Sequence, residues 1–268
     1  MNVLINDVRY YVETNGNGFP LMLLHGFTGN STTWAPFYDV WGKHSRLIIP
    51  DIIGHGKTDS PTDPDRYKIE KVARDLAAIL DELQIVQVDI LGYSMGGRLA
   101  LTFAIMFPGR VRRLILESAS PGLATVAERA NRRMKDAELA NFIMDQGIKS
   151  FVDYWEEIPL FASLKRLPIE KRIDIRQQRL GNSPVGLANS LLGMGTGSQP
   201  SWWEHLDQLK CEVLLLTGKE DKKFCQIAQA MLPKLNKASL IEFENSGHTI
   251  HVENCEKFGR IVSDFVTK

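Results

Sequence analysis

The chain has 268 residues, 44% of them hydrophobic and 24% charged, and its 32 Lys and Arg are matched by 32 Asp and Glu. This composition excludes disorder, a collagen-like repeat and a disulfide scaffold, and the length suits one α/β core with an insertion better than two equal domains. A net charge of zero offers no general attraction to phosphate backbones or anionic membranes, so neither nucleic acid nor a membrane is expected as a partner.

The first residues, Met1 to Thr14, have no basic head, sustained apolar stretch or small-residue cleavage site, so they do not read as a signal peptide. They alternate instead, with Val3, Ile5, Val8, Tyr10 and Val12 interrupted at Asn6-Asp7 as a hairpin would be. Short apolar runs follow: Leu21–Leu24 ending at His25-Gly26, Leu47–Ile49 at Pro50-Asp51, Val88–Leu91 at Gly92-Tyr93-Ser94, and Leu114–Leu116 at Glu117-Ser118. After a gap come Val213–Leu216, ending at Thr217-Gly218, and Leu240–Phe243, running to Ser246-Gly247. Apolar runs without alternation are strands buried on both faces, as in a parallel sheet covered by helices. The intervening helices show the matching period, in Ile69, Val72, Ala73, Leu76, Ile79, Leu80 and Leu83 and again in Phe258, Ile261, Val262 and Phe265. Strand–helix alternation predicts the α/β class.

From Pro121 to Pro200 the rhythm breaks into helical patterns without a buried strand, closing in Gly193-Met194-Gly195-Thr196-Gly197. The expected organisation is a core of residues 1–120 and 206–268 with a helical lid, 121–205, inserted on the side where catalytic loops emerge. No apolar run approaches a membrane span. Cys211, Cys225 and Cys255 are odd in number and widely spaced, which suits reduced thiols and a cytoplasmic location.

Gly92-Tyr93-Ser94-Met95-Gly96 matches G-x-S-x-G between a strand and a helix expected to start near Gly97. Small flanking residues permit a tight turn that lifts the serine hydroxyl out of the sheet, and a helix N-terminus behind it favours developing negative charge. Such a hydroxyl acts only if a histidine takes its proton and an acid orients that histidine. In the order Ser, acid, His, the candidates are Asp221 after Val213–Gly218 and His248 in Ser246-Gly247-His248, with Glu220 as the alternative acid. A lone Asp after a strand is usually a turn residue and a lone His usually structural; their joint placement with Ser94 outweighs both. Oxyanion-binding N–H groups are expected from Met95 and from the loop after His25-Gly26, at Phe27.

Leu24-His25-Gly26-Phe27, Pro50-Asp51-Ile52-Ile53-Gly54-His55-Gly56, Gly92–Gly97 and Ser246-Gly247-His248 together resemble the α/β-hydrolase superfamily. A finer resemblance lies in Arg98 directly after Gly96-Gly97, Glu128-Arg129-Ala130-Asn131-Arg132-Arg133, Trp155 before Phe161-Ala162-Ser163-Leu164, Arg179 before Gly181-Asn182, and the acid loop Gly218–Phe224. This set is similar to the SHCHC synthases (2-succinyl-6-hydroxy-2,4-cyclohexadiene-1-carboxylate synthases) of menaquinone biosynthesis. The resemblance implies a lyase: Ser94, activated by His248 and oriented through Asp221, removes a proton from SEPHCHC, the 5-enolpyruvyl precursor, and 2,5-elimination releases pyruvate. It implies substrate contacts from Tyr93, Arg98, Arg132, Trp155, Arg179 and Lys223, with Arg133 the alternative to Arg132, and no cofactor. Guanidinium forks suit a substrate with three carboxylates. Arg98, on a helix expected to be buried, should need an anionic partner.

The other readings on this sequence are a serine hydrolase of small esters or carbon–carbon bonds, and a non-catalytic binding protein. Haloalkane dehalogenase chemistry would need Asp where Ser94 stands. Gly54-His55-Gly56-Lys57-Thr58 lacks the first P-loop glycine, Asp51 standing there, and Gly193–Gly197 lacks the preceding strand of a dinucleotide loop. In His248-x-x-His251-x-Glu253, a triad histidine has no nitrogen to spare for a metal. Trp202-Trp203 is expected to pack between lid and core, and a monomer or homodimer is expected.

Overall fold

A computed structural model describes all 268 residues. One eight-stranded sheet runs through the molecule: β1 (Asn2–Ile5), β2 (Val8–Asn15), β3 (Phe19–Leu24), β4 (Ser45–Pro50), β5 (Val88–Tyr93), β6 (Val111–Glu117), β7 (Glu212–Gly218) and β8 (Ala238–Phe243). Their spatial order is β1-β2-β4-β3-β5-β6-β7-β8. The β1–β2 hairpin turns on Asn6 and Asp7, both in the left-handed region at φ 47° and 64°, where short polar side chains are tolerated. β2 meets β4 antiparallel, and every later neighbouring pair is parallel.

The inner strands β3 to β7 are buried on both faces because alternate residues enter two separate cores. The edge strand β8, expected to be buried likewise, is mostly half-buried because it has a neighbour on one side only. Met22 and Leu24 of β3 join one apolar cluster, and Leu21 and Leu23 join the other. The first cluster is covered by α2 (Ile69–Glu82) and α3 (Met95–Met106), through residues such as Leu76 and Leu99, and by Ala228 and Met231 of α7 (Lys222–Met231). The second is covered by α1 (Tyr38–Trp41) and α9 (Cys255–Thr267), where Trp41 stacks on Phe37 at 4.2 Å and Phe258, Val262 and Phe265 face the sheet. Each such side chain removed from water contributes roughly 1.5–3 kcal/mol.

Between β6 and β7 the sheet receives no strand. This stretch holds α4 (Val126–Trp155), α5 (Ile169–Leu180) and α6 (Pro184–Met194); α7 (Lys222–Met231) and α8 (Ile250–Glu253) come after β7 and β8. A capping box starts α4: Thr125 Oγ1 accepts the Glu128 N–H at 3.1 Å, and Glu128 accepts the Thr125 N–H at 2.8 Å. Helical geometry breaks at Gly147, whose φ of 75° only glycine adopts without strain. The insertion has its own apolar cluster, including Ile143, Phe151, Val152 and Leu187, against which Phe27 from the core loop after β3 also packs.

The sheet order brings the C-terminal ends of β3, β5, β6, β7 and β8 to one edge, the edge on which ligands sit in parallel sheets. One boundary differs from expectation. Helix α3 starts at Met95, two residues earlier than Gly97, because the chain reverses at Ser94 itself and needs no further turn.

Candidate active site

Ser94 occupies the turn between β5 and α3 at φ 51° and ψ −106°, a conformation L-residues rarely adopt. The glycines around it permit the close packing that holds this turn. A Cβ on Gly92 would lie 2.4 Å from the Gly96 carbonyl, and one on Gly96 would lie 2.3 Å from the Leu24 carbonyl. The Ser94 N–H donates to the Glu117 carbonyl at 2.8 Å, tying the turn to the end of β6.

His248 Nε2 lies 2.9 Å from Ser94 Oγ, and His248 Nδ1 lies 2.7 Å from Asp221 Oδ2. The carboxylate can only accept, so Nδ1 carries the hydrogen and Nε2 is left to take the serine proton. Asp221 Oδ1 accepts the Phe224 N–H at 3.3 Å, capping α7. Glu220 is not the orienting group: its carboxylate pairs with Arg166 at 2.9 Å.

The loop after β3 is fixed by buried imidazoles. His25 Nδ1 donates to the Gly26 carbonyl at 2.8 Å, and Nε2 accepts the Ile52 N–H at 2.9 Å. Burial lowers His25 to about 4 and His55 to about 3, so both are neutral near pH 7. The loop Gly54–Thr58 is part of this support, with the Lys57 N–H and Thr58 hydroxyl donating to Asp51 at 2.7 Å each. The Phe27 N–H donates to no group of the protein, and the Met95 N–H stands at the first position of α3, ahead of the helix's own hydrogen-bond ladder.

Ser94 and His248 open into a cavity of about 480 Å³, which Phe27, Tyr93, Met95, Arg98, Arg132, Trp155 and Lys223 also line. Asp221 stands behind His248. Arg179 is not brought to this cavity; it lines a neighbouring one of about 530 Å³, and Phe27, Tyr93 and Phe161 form walls common to both. There it is 6% exposed with its guanidinium 4.7 Å above the Phe161 ring, and burial lowers its pKa.

Arg98 departs from expectation in its partner. Its guanidinium donates to the Met194 carbonyl at 2.7 Å and to Gln199 Oε1, both neutral acceptors, and pairs with no carboxylate. The nearby Asp136 carboxylate is taken by Arg132 at 2.7 Å. Neutral oxygens satisfy the N–H groups of Arg98, and the Asp136 carboxylate acts on its charge only through space. Burial, reinforced by the Arg132 charge and opposed by Asp136, lowers the Arg98 pKa to about 10, so it remains cationic near neutrality. Arg133 turns away, donating to the Gly197 carbonyl at 3.0 Å. Gly193–Gly197 thus anchors Arg98 of α3 and Arg133 of α4 through its carbonyls.

Tyr93 shares its hydroxyl with Thr249 at 3.1 Å and packs against His248, and burial pushes its phenol far above the ordinary range. The indole N–H of Trp155 is buried with no acceptor in the chain. Lys223 is exposed at the cavity rim, 5.6 Å over the Phe224 ring. Trp202 donates to Thr102 and Trp203 to the Gly122 carbonyl, both at 2.9 Å, joining the segment before β7 to α3 and to the loop after β6. No group of three or more His, Cys, Asp or Glu is arranged to hold a metal ion. Motif reasoning passed over Glu117, Thr249 and Gln199, which touch site residues without belonging to any motif.

The alpha/beta hydrolase fold family matches residues 20–254. A Bacillus subtilis protein provisionally named 2-succinyl-6-hydroxy-2,4-cyclohexadiene-1-carboxylate synthase is 47% identical over 270 residues, covering 100% of this chain and 98% of that one. The synthase of that name from Photorhabdus laumondii is 32% identical over 92% of this chain and 85% of its own length. The structure of MenH from S. aureus superposes with a TM-score of 0.91 at 36% identity, over 96% of this chain and 97% of that one. The chain belongs to the α/β-hydrolase fold family and, within it, to the 2-succinyl-6-hydroxy-2,4-cyclohexadiene-1-carboxylate synthases.

Proposed function

We propose that this chain is a lyase of menaquinone biosynthesis that converts SEPHCHC to SHCHC and pyruvate. Ser94 Oγ removes the ring proton as His248 Nε2 accepts the hydroxyl proton, and Asp221 stabilises the imidazolium that results. The electron pair from the broken C–H bond forms the new ring double bond as the C–O bond to the enolpyruvyl group breaks. The departing enolate takes up a proton to become pyruvate, so no water is consumed. Developing negative charge is met by the N–H groups of Phe27 and Met95.

The carrying observation is that the Ser94–His248–Asp221 relay opens into a cavity lined by the Arg98 guanidinium, to which no carboxylate of the chain is bonded. A serine hydrolase of neutral esters has no need of such a cation; a substrate with three carboxylates does. Arg98, Arg132 and Lys223 are the proposed carboxylate contacts, Tyr93 and Trp155 the proposed walls, and Arg179 a contact reached where the substrate extends past Phe161. Residues 121–205 are the proposed lid over a core of 1–120 and 206–268. The cytoplasmic location rests on three unpaired thiols, Cys211, Cys225 and Cys255.

A coupled assay of pyruvate release from SEPHCHC tests the reading with wild type, Ser94→Ala and Arg98→Ala. Turnover by wild type and its loss in Ser94→Ala are expected. Fast hydrolysis of neutral aryl esters with no pyruvate from SEPHCHC would favour the hydrolase reading, which shares the relay and both N–H donors.

A further inference from the structure

The segment His248-x-x-His251-x-Glu253 carries two side chains that the proposed reaction leaves without a task, and both are buried. Glu253 folds back along its own loop. Its Oε2 accepts the Gly247 N–H at 2.9 Å and its Oε1 accepts the Thr249 N–H at 3.2 Å. One carboxylate thus takes the main-chain amides on either side of His248. Its side chain is 4% exposed, and a guanidinium nitrogen of Arg166 stands 3.9 Å away.

His251 points the other way. Its N–H and Nδ1 donate to the fully buried Glu117 carboxylate at 3.0 and 2.9 Å. The Glu117 carbonyl is the acceptor of the Ser94 N–H. Glu117 therefore joins the nucleophile turn, through its main chain, to the histidine loop, through its side chain. No helix or strand spans the interval between Phe243 and Ile250. The Glu220 N–H donates to the Ser246 carbonyl at 3.0 Å and Thr249 meets the Tyr93 hydroxyl at 3.1 Å, but the Gly247 and Thr249 amides beside His248 are held by Glu253.

We infer that Glu253, supported by the Glu117–His251 pair, is a positioning residue that sets the His248 ring between Ser94 and Asp221. The ring must meet two partners at once, at 2.9 and 2.7 Å, and two side-chain torsions cannot correct a shifted loop. Without Glu253, two buried amides would lose their acceptor, and the loop would relax to find others. The inference rests on the Ser–His relay of the proposed reaction and is independent of which substrate that relay serves.

The test uses Glu253→Gln and Glu253→Ala in the full chain. Gln keeps the volume and one acceptor but turns an NH₂ towards an N–H donor; Ala removes both acceptors. Two rates are read: phosphorylation of Ser94 by diisopropyl fluorophosphate, which needs only the relay, and kcat and KM for pyruvate release. End-point labelling counts the folded sites. Both rates should fall together, by roughly 10-fold for Gln and roughly 100-fold for Ala, as expected for misplacement approaching 1 Å, with KM held within about twofold. Rates per labelled site within twofold of wild type in Glu253→Gln, and in Glu253→Ala where it folds, would overturn the inference and leave Glu253 a purely structural residue. If wild type is labelled rapidly but releases no pyruvate, the substrate reading fails and the labelling rates alone decide the role of Glu253.

Discussion

On one side of the cavity Ser94, His248 and Asp221 satisfy one another at 2.9 and 2.7 Å; on the other, the Arg98 guanidinium meets only neutral oxygens from Met194 and Gln199. The first side is complete within the chain and is assembled from loops at strand ends, on a sheet that leaves them little freedom. The second carries a charge awaiting its complement, and its acceptors come from the inserted helices and the loop that closes them. A complete relay can serve many acyl or proton transfers, whereas an unpaired cation selects the molecules that can neutralise it. The relay therefore belongs to the sheet's loops, whereas the selecting cation stands on α3 and is held by the insertion.

Substitutions on the two sides should separate these roles. Ser94→Ala removes the group that takes the proton, and a loss of pyruvate release of at least roughly 10³-fold is expected from kinetic assays. Arg98→Ala should act mainly on KM, raising it on the order of 10- to 100-fold, which corresponds to losing one charge-assisted interaction of about 1.5–3 kcal/mol. If instead Arg98→Ala lowered kcat alone, the guanidinium would belong to the reacting side and the comparison would break.

The core side also has its own dependence on pH. His25 and His55 are held neutral by burial, with pKa values of about 4 and 3 in the fold against an ordinary 6.5. Below 6.5 the unfolded chain binds protons that the folded chain refuses, so stability is full above that pH and is lost as pH falls towards 4. Denaturant unfolding at pH 7.0 and pH 5.0, chosen as roughly either side of the histidine range, should show a loss on the order of 1–3 kcal/mol at the lower value. A flat profile would mean that these imidazoles are more accessible than their packing implies. The smallest effect separates two neighbours: Arg132→Ala, at the cavity, should raise KM by a few fold, roughly what a half-exposed ion-paired guanidinium contributes, and Arg133→Ala should leave KM unchanged.

The relay side was legible in the sequence because its requirements are local. Ser94 needs small neighbours on a strand–helix turn, and Asp221 and His248 need only to follow strands that end on the same edge. The strands themselves showed as apolar runs because both their faces are covered. The cationic side was legible only through resemblance. Arg98 sits two residues beyond Gly96, but its acceptors Met194 and Gln199 lie about a hundred positions further on, and the nearby carboxylate, Asp136, is bonded by Arg132 instead. Arg179 lies in the neighbouring cavity because its place depends on the Phe161–Tyr93 wall, which no spacing encodes. Glu253 was hidden for another reason: its partners are backbone N–H groups, which every sequence supplies equally.

The central claim is that Ser94 initiates an elimination rather than a hydrolysis, and the mass of the ring product formed from SEPHCHC tests it most directly. Elimination leaves a cyclohexadiene and consumes no water, so the wild-type protein should yield the diene together with pyruvate, and Ser94→Ala should yield neither. A ring product heavier by one water, retaining a hydroxyl where the enolpyruvyl group had been, would contradict the account.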